Sequence, residues 1–514
     1  MADQQEVVAF LANPSSYAGV DSVRHIETHT AHVFLAGAFA YKLKRAVTYD
    51  FLDFSTLDKR RAACEAEIVI NRRTAPDIYL RAQPVTRQAD SGLALGGSGD
   101  PVEWVVVLRR FDEDGLFDRL ATRHALSLQM ARELADEVLL LHASADTRRE
   151  HGGVAGILWV VDRNAAVFEE HADILPEGLA ASVTTASRQA IDRHSALLEA
   201  RRQSGHVRQC HGDLHLRNIV AISGRPVIFD AIEFNDRIAC TDVLYDLAFL
   251  VMDLLQFSLP VHASEVFNRY LERSDELDGL ALMPLFLASR AAVRAKVTAI
   301  EARLAHGADA ERDQAQARAY LEQADAFLRP SPPGLIAVGG LSGSGKTTLA
   351  ARLAPGLGLA PGTVIVRSDV IRKRLFGVLP EARLGPEGYT PIVNREVYDA
   401  VGARCRTVLA AGYSAIADGT FAGADDRAAI EQVAKEAGVP FSGIWLEAPP
   451  DTLRARVSSR INDASDATAS IVDRQLAAAT APTGWDSIDA SGSEEETGSL
   501  FWGQFRKKRP GLLT

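Results

Sequence analysis

Residues Gly340-Leu-Ser-Gly-Ser-Gly345-Lys346-Thr347 read G-x-x-x-x-G-K-[ST] at every fixed position, after the apolar run Leu335-Ile336-Ala337-Val338 and before a helix-forming stretch. The order is strand, Gly-rich loop, helix. Such a loop turns successive backbone N–H groups inward, and the helix N-terminus adds partial positive charge, so the hollow suits phosphate oxygens. Gly340, Ser342, Gly343, Ser344, Gly345 and Thr348 are the expected cradle. Lys346 is placed to reach the β- and γ-phosphates, and Thr347 Oγ1 to ligate Mg²⁺. An ordinary Gly/Ser turn would not need all fixed positions at once.

The loop occupies only part of a long chain. At 514 residues the protein exceeds what one hydrophobic core supports, so several domains are expected. Leu328-Arg-Pro-Ser-Pro-Pro-Gly334 carries three prolines and cannot continue a helix, which makes 328–334 the linker. After it, Val364-Ile365-Val366, Ser414-Ala415-Ile416-Ala417 and Gly443-Ile444-Trp445-Leu446 alternate with helix-length segments, the pattern of a parallel sheet with crossover helices. Before it, residues 1–110 alternate like strands, with a hairpin His32–Leu35 and Phe39–Leu43 around Ala36-Gly37-Ala38, a helix over Leu57–Arg73 and a buried strand Trp104–Leu108. Residues 111–327 read as helical, interrupted by strand-like Gln209–Ile232. The fold class is therefore multidomain, α+β followed by α/β, with domains at 1–327 and 335–492. The tail from 493 turns acidic, then basic, and carries no expected structure.

Composition excludes several classes. Acidic residues number 67 against 56 basic, for a net charge of −11, which speaks against a nucleic-acid coat protein. The four cysteines have no paired spacing, so neither a disulfide framework nor a zinc site is expected, and a reducing cytoplasm fits. The N-terminus does not read as a signal peptide. The apolar stretch Val243–Pro260 carries Asp246 and Asp253 and reads as an amphipathic core helix rather than a membrane span.

Near the Gly-rich loop, the strand ending in Arg367-Ser368-Asp369 puts a carboxylate at the sheet edge where open α/β sheets bind ligands. Asp369 suits a base that accepts a hydroxyl proton, or alternatively a helix N-cap. Arg372 suits a substrate anion or the transferred phosphate. Asp418 ends the Ala415–Ala417 strand and suits an outer-sphere magnesium contact or a second carboxylate. Arg454, Arg456 and Arg460 suit either a lid over phosphates or a solvated face. Through GGLSGSGKTTLA, VRSDVIRK, AIADGTF and Asp463-Ala464-Ser465-Asp466-Ala467, residues 335–490 resemble P-loop small-molecule kinases of the gluconate kinase and zeta toxin type. That resemblance implies phosphoryl transfer to an acceptor, and no arginine-finger or sensor pattern of an AAA motor accompanies it.

Upstream, His211-Gly212-Asp213-Leu214-His215-Leu216-Arg217-Asn218 fits H-x-D-x-x-x-x-N, and the strand Val227-Ile228-Phe229 ends in Asp230. Phosphoryl transfer needs a carboxylate near the acceptor hydroxyl and oxygen ligands for metal: Asp213 suits the first, Asn218 and Asp230 the second. His211 props the loop. This set resembles the aminoglycoside phosphotransferase branch of the protein-kinase fold over residues 20–325. The resemblance implies a bilobal domain in which a strand lysine, oriented by a helix glutamate, holds ATP phosphates. Lys42 is the expected lysine and Glu67 the glutamate, with Lys44 and Glu65 as alternatives. Leu108-Arg109-Arg110 takes the hinge, and Thr28-His29-Thr30 stands where a Gly-rich loop is usual. Asp242 and Asp246 read as lobe-stabilising. Arg290, Arg294 and Lys296 read as a solvated or ion-paired basic cluster, or one receiving an acidic substrate.

The module order resembles bifunctional aminoglycoside phosphotransferase-like/ATP-binding proteins. It implies two ATP·Mg²⁺ sites, each moving a γ-phosphate to a small-molecule hydroxyl, with no nucleic-acid or membrane partner expected. The alternative is a regulator whose first module senses ATP without catalysis while only the P-loop module turns over.

Overall fold

The computed structural model describes residues 4–458, 464–478 and 482–508. The chain forms two compact units, one of Met1–Val160 with Ser195–Asp253, the other of Val161–His194 with Leu254–Thr514.

The first unit is built on an antiparallel sheet, β1 (Val23–Glu27), β2 (Ala31–Ala36), β3 (Phe39–Lys44), β4 (Tyr79–Arg87), β5 (Leu93–Leu95) and β6 (Asp100–Arg109), in the order β1-β2-β3-β6-β4-β5. Period-two alternation in β6 sends Val105 and Val107 to one face, against Phe34, Leu43 and Val85, and Val106 to the other. Helix α1 (Leu57–Asn71), N-capped by the Thr56 hydroxyl, lays Cys64 and Ile68 on that second face beside Val106. Helix α2 (Leu128–Ser144) follows, then short strands β7 (Val207–Gln209), β8 (Ile219–Ile222), β9 (Arg225–Ile228) and β10 (Cys240–Asp242). The β8–β9 hairpin carries the segment from Asn218 to Asp230.

Helix α3 (Val243–Gln256) corrects the amphipathic expectation: residues 243–254 are buried all round, Asp246 and Asp253 included. The two acids are tolerated because their carboxylates accept backbone N–H groups.

The second unit contains α4 (Pro260–Arg273), α5 (Met283–Leu304) and α6 (Ala308–Phe327). The segment after the prolines follows: β11 (Leu335–Gly340), α7 (Lys346–Leu353), β12 (Val364–Arg367), α8 (Ser368–Leu375), α9 (Pro391–Ala410), β13 (Ala415–Asp418), α10 (Ala424–Ala437), β14 (Phe441–Glu447), α11 (Pro450–Ser458), α12 (Ala469–Ala478), β15 (Asp486–Asp489) and α13 (Glu494–Lys508). All five strands are parallel, in the order β12-β13-β11-β14-β15. Gly340 therefore ends a fully buried central strand, and Arg367 and Asp418 are register partners at the same edge. The described part of the tail is a helix, α13: its Phe501 and Phe505 pack with Leu349 and Leu353 of α7, so these residues complete the core beneath the Gly-rich loop. No helix among the described residues is long and apolar enough to cross a membrane.

Candidate active sites

In the first unit, alternation along β3 points Lys42 and Lys44 to one face, and α1 offers Glu67 between them. Lys42 Nζ donates to Glu67 Oε1 at 2.9 Å and to Asp230 Oδ1 at 2.6 Å. Lys44 Nζ donates to Glu67 Oε2 at 2.6 Å and also pairs with Glu233. Lys42 is thus the lysine that meets the Asp230 strand. Glu65 faces outward and pairs with Arg61. Burial alone would lower the Lys42 pKa, but Asp230 and Glu67 outweigh it and hold the ammonium well above its usual range. Burial likewise works against the Glu67 carboxylate, yet the two lysines keep it below the usual carboxylate value.

The catalytic-loop candidates lie together. Asn218 Nδ2 donates to the Asp213 backbone oxygen at 3.0 Å and to Oδ2 at 3.1 Å, and His215 Nε2 lies 3.2 Å from the same Oδ2. With Nδ2 so engaged, Asn218 Oδ1 is the atom suited to a cation. His211 Nε2 meets the Phe229 carbonyl at 2.9 Å, and burial lowers its pKa, favouring the neutral ring. Asp230 sits at φ 63°, in the left-handed region, with its N–H held by Tyr79 Oη at 3.1 Å; Asn71 Oδ1 accepts from Ala231 N at 2.7 Å. These tethers turn the Asp230 carboxylate toward Lys42. Asp246, grouped with Asp242 as lobe-stabilising, also holds the loop itself: its oxygens accept from His211 N at 3.1 Å and Gly212 N at 2.9 Å, and His142 Nε2 lies 3.1 Å away. Asp242 instead forms a two-bond pair with Arg201.

The backbone N–H groups of Arg109 and Arg110 are taken by Ile78 O and Ala38 O, so β6 pairing continues through the proposed hinge and those donors are not offered to a base. The basic cluster on α5 also resolves into separate roles. Arg290 is buried, Arg294 lies over the Tyr320 ring at 5.5 Å, and Lys296 is partly buried, its pKa lowered to about 8 by burial and by nearby Arg163.

In the second unit the Gly-rich loop closes around its own backbone. Gly343 and Gly345 have φ of 88° and 91°, and a Cβ on Gly343 would stand 2.6 Å from Leu453 O. Lys346 Nζ donates to Leu341 O at 2.9 Å, and Thr347 Oγ1 donates to Asp418 Oδ2 at 2.6 Å. Burial raises the Asp418 pKa, against the opposing pull of Arg367 and Lys346. Ser344 Oγ is buried without a hydrogen-bond partner. An orphaned hydroxyl, a lysine and a Thr–Asp pair fit a magnesium-bound phosphate chain.

A cavity of about 780 Å³ runs from Lys346 and Thr347 to Asp369, Arg372, Tyr389 and Arg474. Asp369 is not the N-cap of α8; Arg367 holds that position, without a side-chain cap bond. Arg372 is buried, donates to Gly388 O at 2.6 Å, lies 4.7 Å over the Tyr389 ring, and keeps its Nε without a partner. Asp466 gathers Lys373, Tyr389 Oη (2.6 Å) and Leu384 N (3.0 Å), tying the 384–389 segment to the residues before α12. Gln475, which the motif reading missed, accepts from Ser342 N at 2.9 Å. Its only sequence signal is a polar face on a short amphipathic helix.

A second hollow of about 310 Å³ borders the same loop, lined by Gly343, Ser344, Gly345, Thr348, Arg456 and Glu494. Arg456 lines this hollow and donates to Ala490 O at 2.8 Å and Gly492 O at 2.9 Å. Arg454 pairs with Asp451 and Asp473. Arg460 and Asp463 lie outside the described residues.

A protein-family model described as an AAA domain matches residues 335–482. The uncharacterized protein Rv2004c of Mycobacterium tuberculosis is 31% identical over 491 residues, covering 92% of this chain and 93% of its own. An adenylyl-sulfate kinase of Myxococcus xanthus is 32% identical over 117 residues, 23% of this chain and 59% of that protein. Among solved structures, a choline/ethanolamine kinase family protein from Mesorhizobium loti aligns with a TM-score of 0.39 at 16% identity, covering 63% of this chain and 99% of that one. The chain belongs to one family with Rv2004c over nearly its whole length, and its residues 335–482 form an AAA-type P-loop domain.

Proposed function

We propose that this protein is a cytoplasmic ATP-dependent phosphotransferase with two active sites, each moving the γ-phosphate of ATP to the hydroxyl of a small molecule. The observation that carries the reading is the single cavity joining Lys346 and Thr347 to Asp369 and Arg372, which gives phosphate donor and acceptor a shared space. The four cysteines are free and buried, which suits a reducing compartment.

At the P-loop site, Lys346, the loop amides and Ser344 hold the phosphates, and Thr347 with Asp418 are the residues for Mg²⁺. When bound, the metal neutralises charge developing on the transferred group. Asp369 takes the acceptor's hydroxyl proton as the new oxygen–phosphorus bond forms and the bond to ADP breaks. The orphaned Arg372 Nε points to an acceptor, or a transferred group, carrying negative charge. The Myxococcus relative's name describes a kinase of adenylyl sulfate, an anionic acceptor; here the acceptor's identity stays open within that chemistry. At the kinase-like site, Lys42 steadies phosphates, Asn218 and Asp230 serve the metal, and Asp213 orients or deprotonates the acceptor.

A regulatory reading of the first module has one observation in its favour: the β1–β2 turn over residues 28–30 contains no glycine with which to approach phosphates. Phosphorylation of a metabolite extract by the intact protein separates the readings. Loss of one labelled product in Asp213→Ala and of a different one in Lys346→Ala supports two enzymes. If every product depends on Lys346 and none on Asp213, the first module is a sensor.

A further inference from the structure

β12 is an edge strand, and an edge strand presents unpaired N–H and C=O groups. Here the amide of Asn268 on α4 takes them: Asn268 Oδ1 accepts from Ile365 N at 2.7 Å and Nδ2 donates to Thr363 O at 3.2 Å. One side chain thereby imitates a rung of the next strand. One helical turn on, Glu272 Oε1 lies 3.4 Å from Arg367 Nη1, at the end of the same strand. Arg367 Nε is in turn 3.9 Å from Asp418 Oδ2, the oxygen that accepts from Thr347. All three charged side chains are largely screened from solvent. Arg269 and Arg273 pair with Glu381, and Arg374 pairs with Asp275, extending the same seam along α8 and the segment after it.

We infer that Glu272 is a positioning residue of the P-loop site: it draws the Arg367 guanidinium toward α4, so that the Asp418 carboxylate stays available to Thr347 and to a divalent cation. The inference rests on the P-loop reading above and extends the site beyond the residues after the proline linker. Two carboxylates compete for one guanidinium. With Glu272 in place the shorter contact goes to it; with Glu272 neutral, the pull on Arg367 shifts toward Asp418, where the guanidinium opposes a cation. Asn268 fixes the strand two residues upstream, so Arg367 has little freedom to leave.

The test is Mg²⁺-dependent binding of fluorescent MANT-ADP to the full-length chain, taking the part of the signal that Lys346→Ala removes. Glu272→Gln raises the half-saturating Mg²⁺ concentration about tenfold, the usual scale for residues that orient a metal's ligands. Glu272→Asp, which keeps the charge, shifts it less. In an Arg367→Gln background the Glu272→Gln effect disappears, because no guanidinium remains to be partitioned. Superimposable Mg²⁺ curves for wild type and Glu272→Gln overturn the inference while leaving the functional reading intact. The same effect persisting without Arg367 also overturns it. Absence of any Lys346-dependent binding removes the functional reading itself, and this inference with it.

Discussion

Lys42 Nζ lies 2.6 Å from Asp230 Oδ1, across 188 residues of sequence, while its other partner Glu67 is wholly buried. In the function proposed above, this pair sets the cation for the phosphates against the anion for the metal, so ATP·Mg²⁺ would have to separate them. Asp230→Asn leaves Lys42 paired to Glu67 but removes the carboxylate that the proposal gives to the metal. Asp213-dependent product formation is expected to fall at least about 100-fold, with Lys346-dependent product unchanged. Mass-resolved assay of both products in one extract checks this.

Asp246 supports the same loop from below. It is completely buried and accepts two consecutive backbone N–H groups beside the His142 contact. Asp246→Asn keeps the volume but turns an N–H toward donors, at a cost of about 3 kcal/mol. The urea midpoint should drop accordingly, and the Asp213-dependent activity that remains should fall further than stability alone accounts for. A midpoint unchanged from wild type would contradict the placement of this carboxylate.

Much of this was legible in advance, for identifiable reasons. A full Gly-rich motif admits few alternatives, and period-two alternation put Lys42 on a face with a partner. Alternation could not separate Lys42 from Lys44, since both face the same way; the long-range pairing to Asp230 does. The choice of Glu67 over Glu65 had a readable signal. Cys64, Glu67, Ile68 and Asn71 form one helical stripe, all buried, and Glu65 lies off it. Charge misled twice. Asp246 and Asp253 looked like a polar face on α3, although their role is to satisfy loop amides at Gly212 and Leu216. The acidic and basic flanks of the last residues drew attention from Phe501 and Phe505, whose i,i+4 spacing marks a packed helix.

Lys296 gives a pH-dependent prediction. Its pKa in the fold is about 8, against 10.5 for an exposed lysine, because burial and Arg163 disfavour the charged form. Between those values the unfolded chain binds more protons than the folded one, so this group makes stability rise with pH through that window and not below it. Lys296→Met, by removing a partly buried charge, should stabilise the protein at pH 7 by about 1–2 kcal/mol, allowing for the solvent that still reaches the ammonium. The gain should shrink toward zero as pH climbs past the ordinary lysine value. Denaturation midpoints at neutral and alkaline pH measure it; a variant less stable than wild type at pH 7 would show an anionic partner for this lysine.

Gly343 and Gly345 separate two reasons for glycine in one loop. Both lie in the left-handed region, but a Cβ on Gly345 meets open space whereas one on Gly343 stands 2.6 Å from the Leu453 carbonyl oxygen. Gly345→Ala therefore pays only the conformational cost, about 1 kcal/mol. Gly343→Ala must in addition push the loop from α11, and backbone against backbone has no flexible end to yield. The expected order in MANT-ADP affinity is wild type, then Gly345→Ala within about tenfold, then Gly343→Ala with Lys346-dependent binding lost. Equal losses in the two variants would mean that φ alone sets the requirement, and that the packing of Leu453 under the loop has no part in holding the nucleotide.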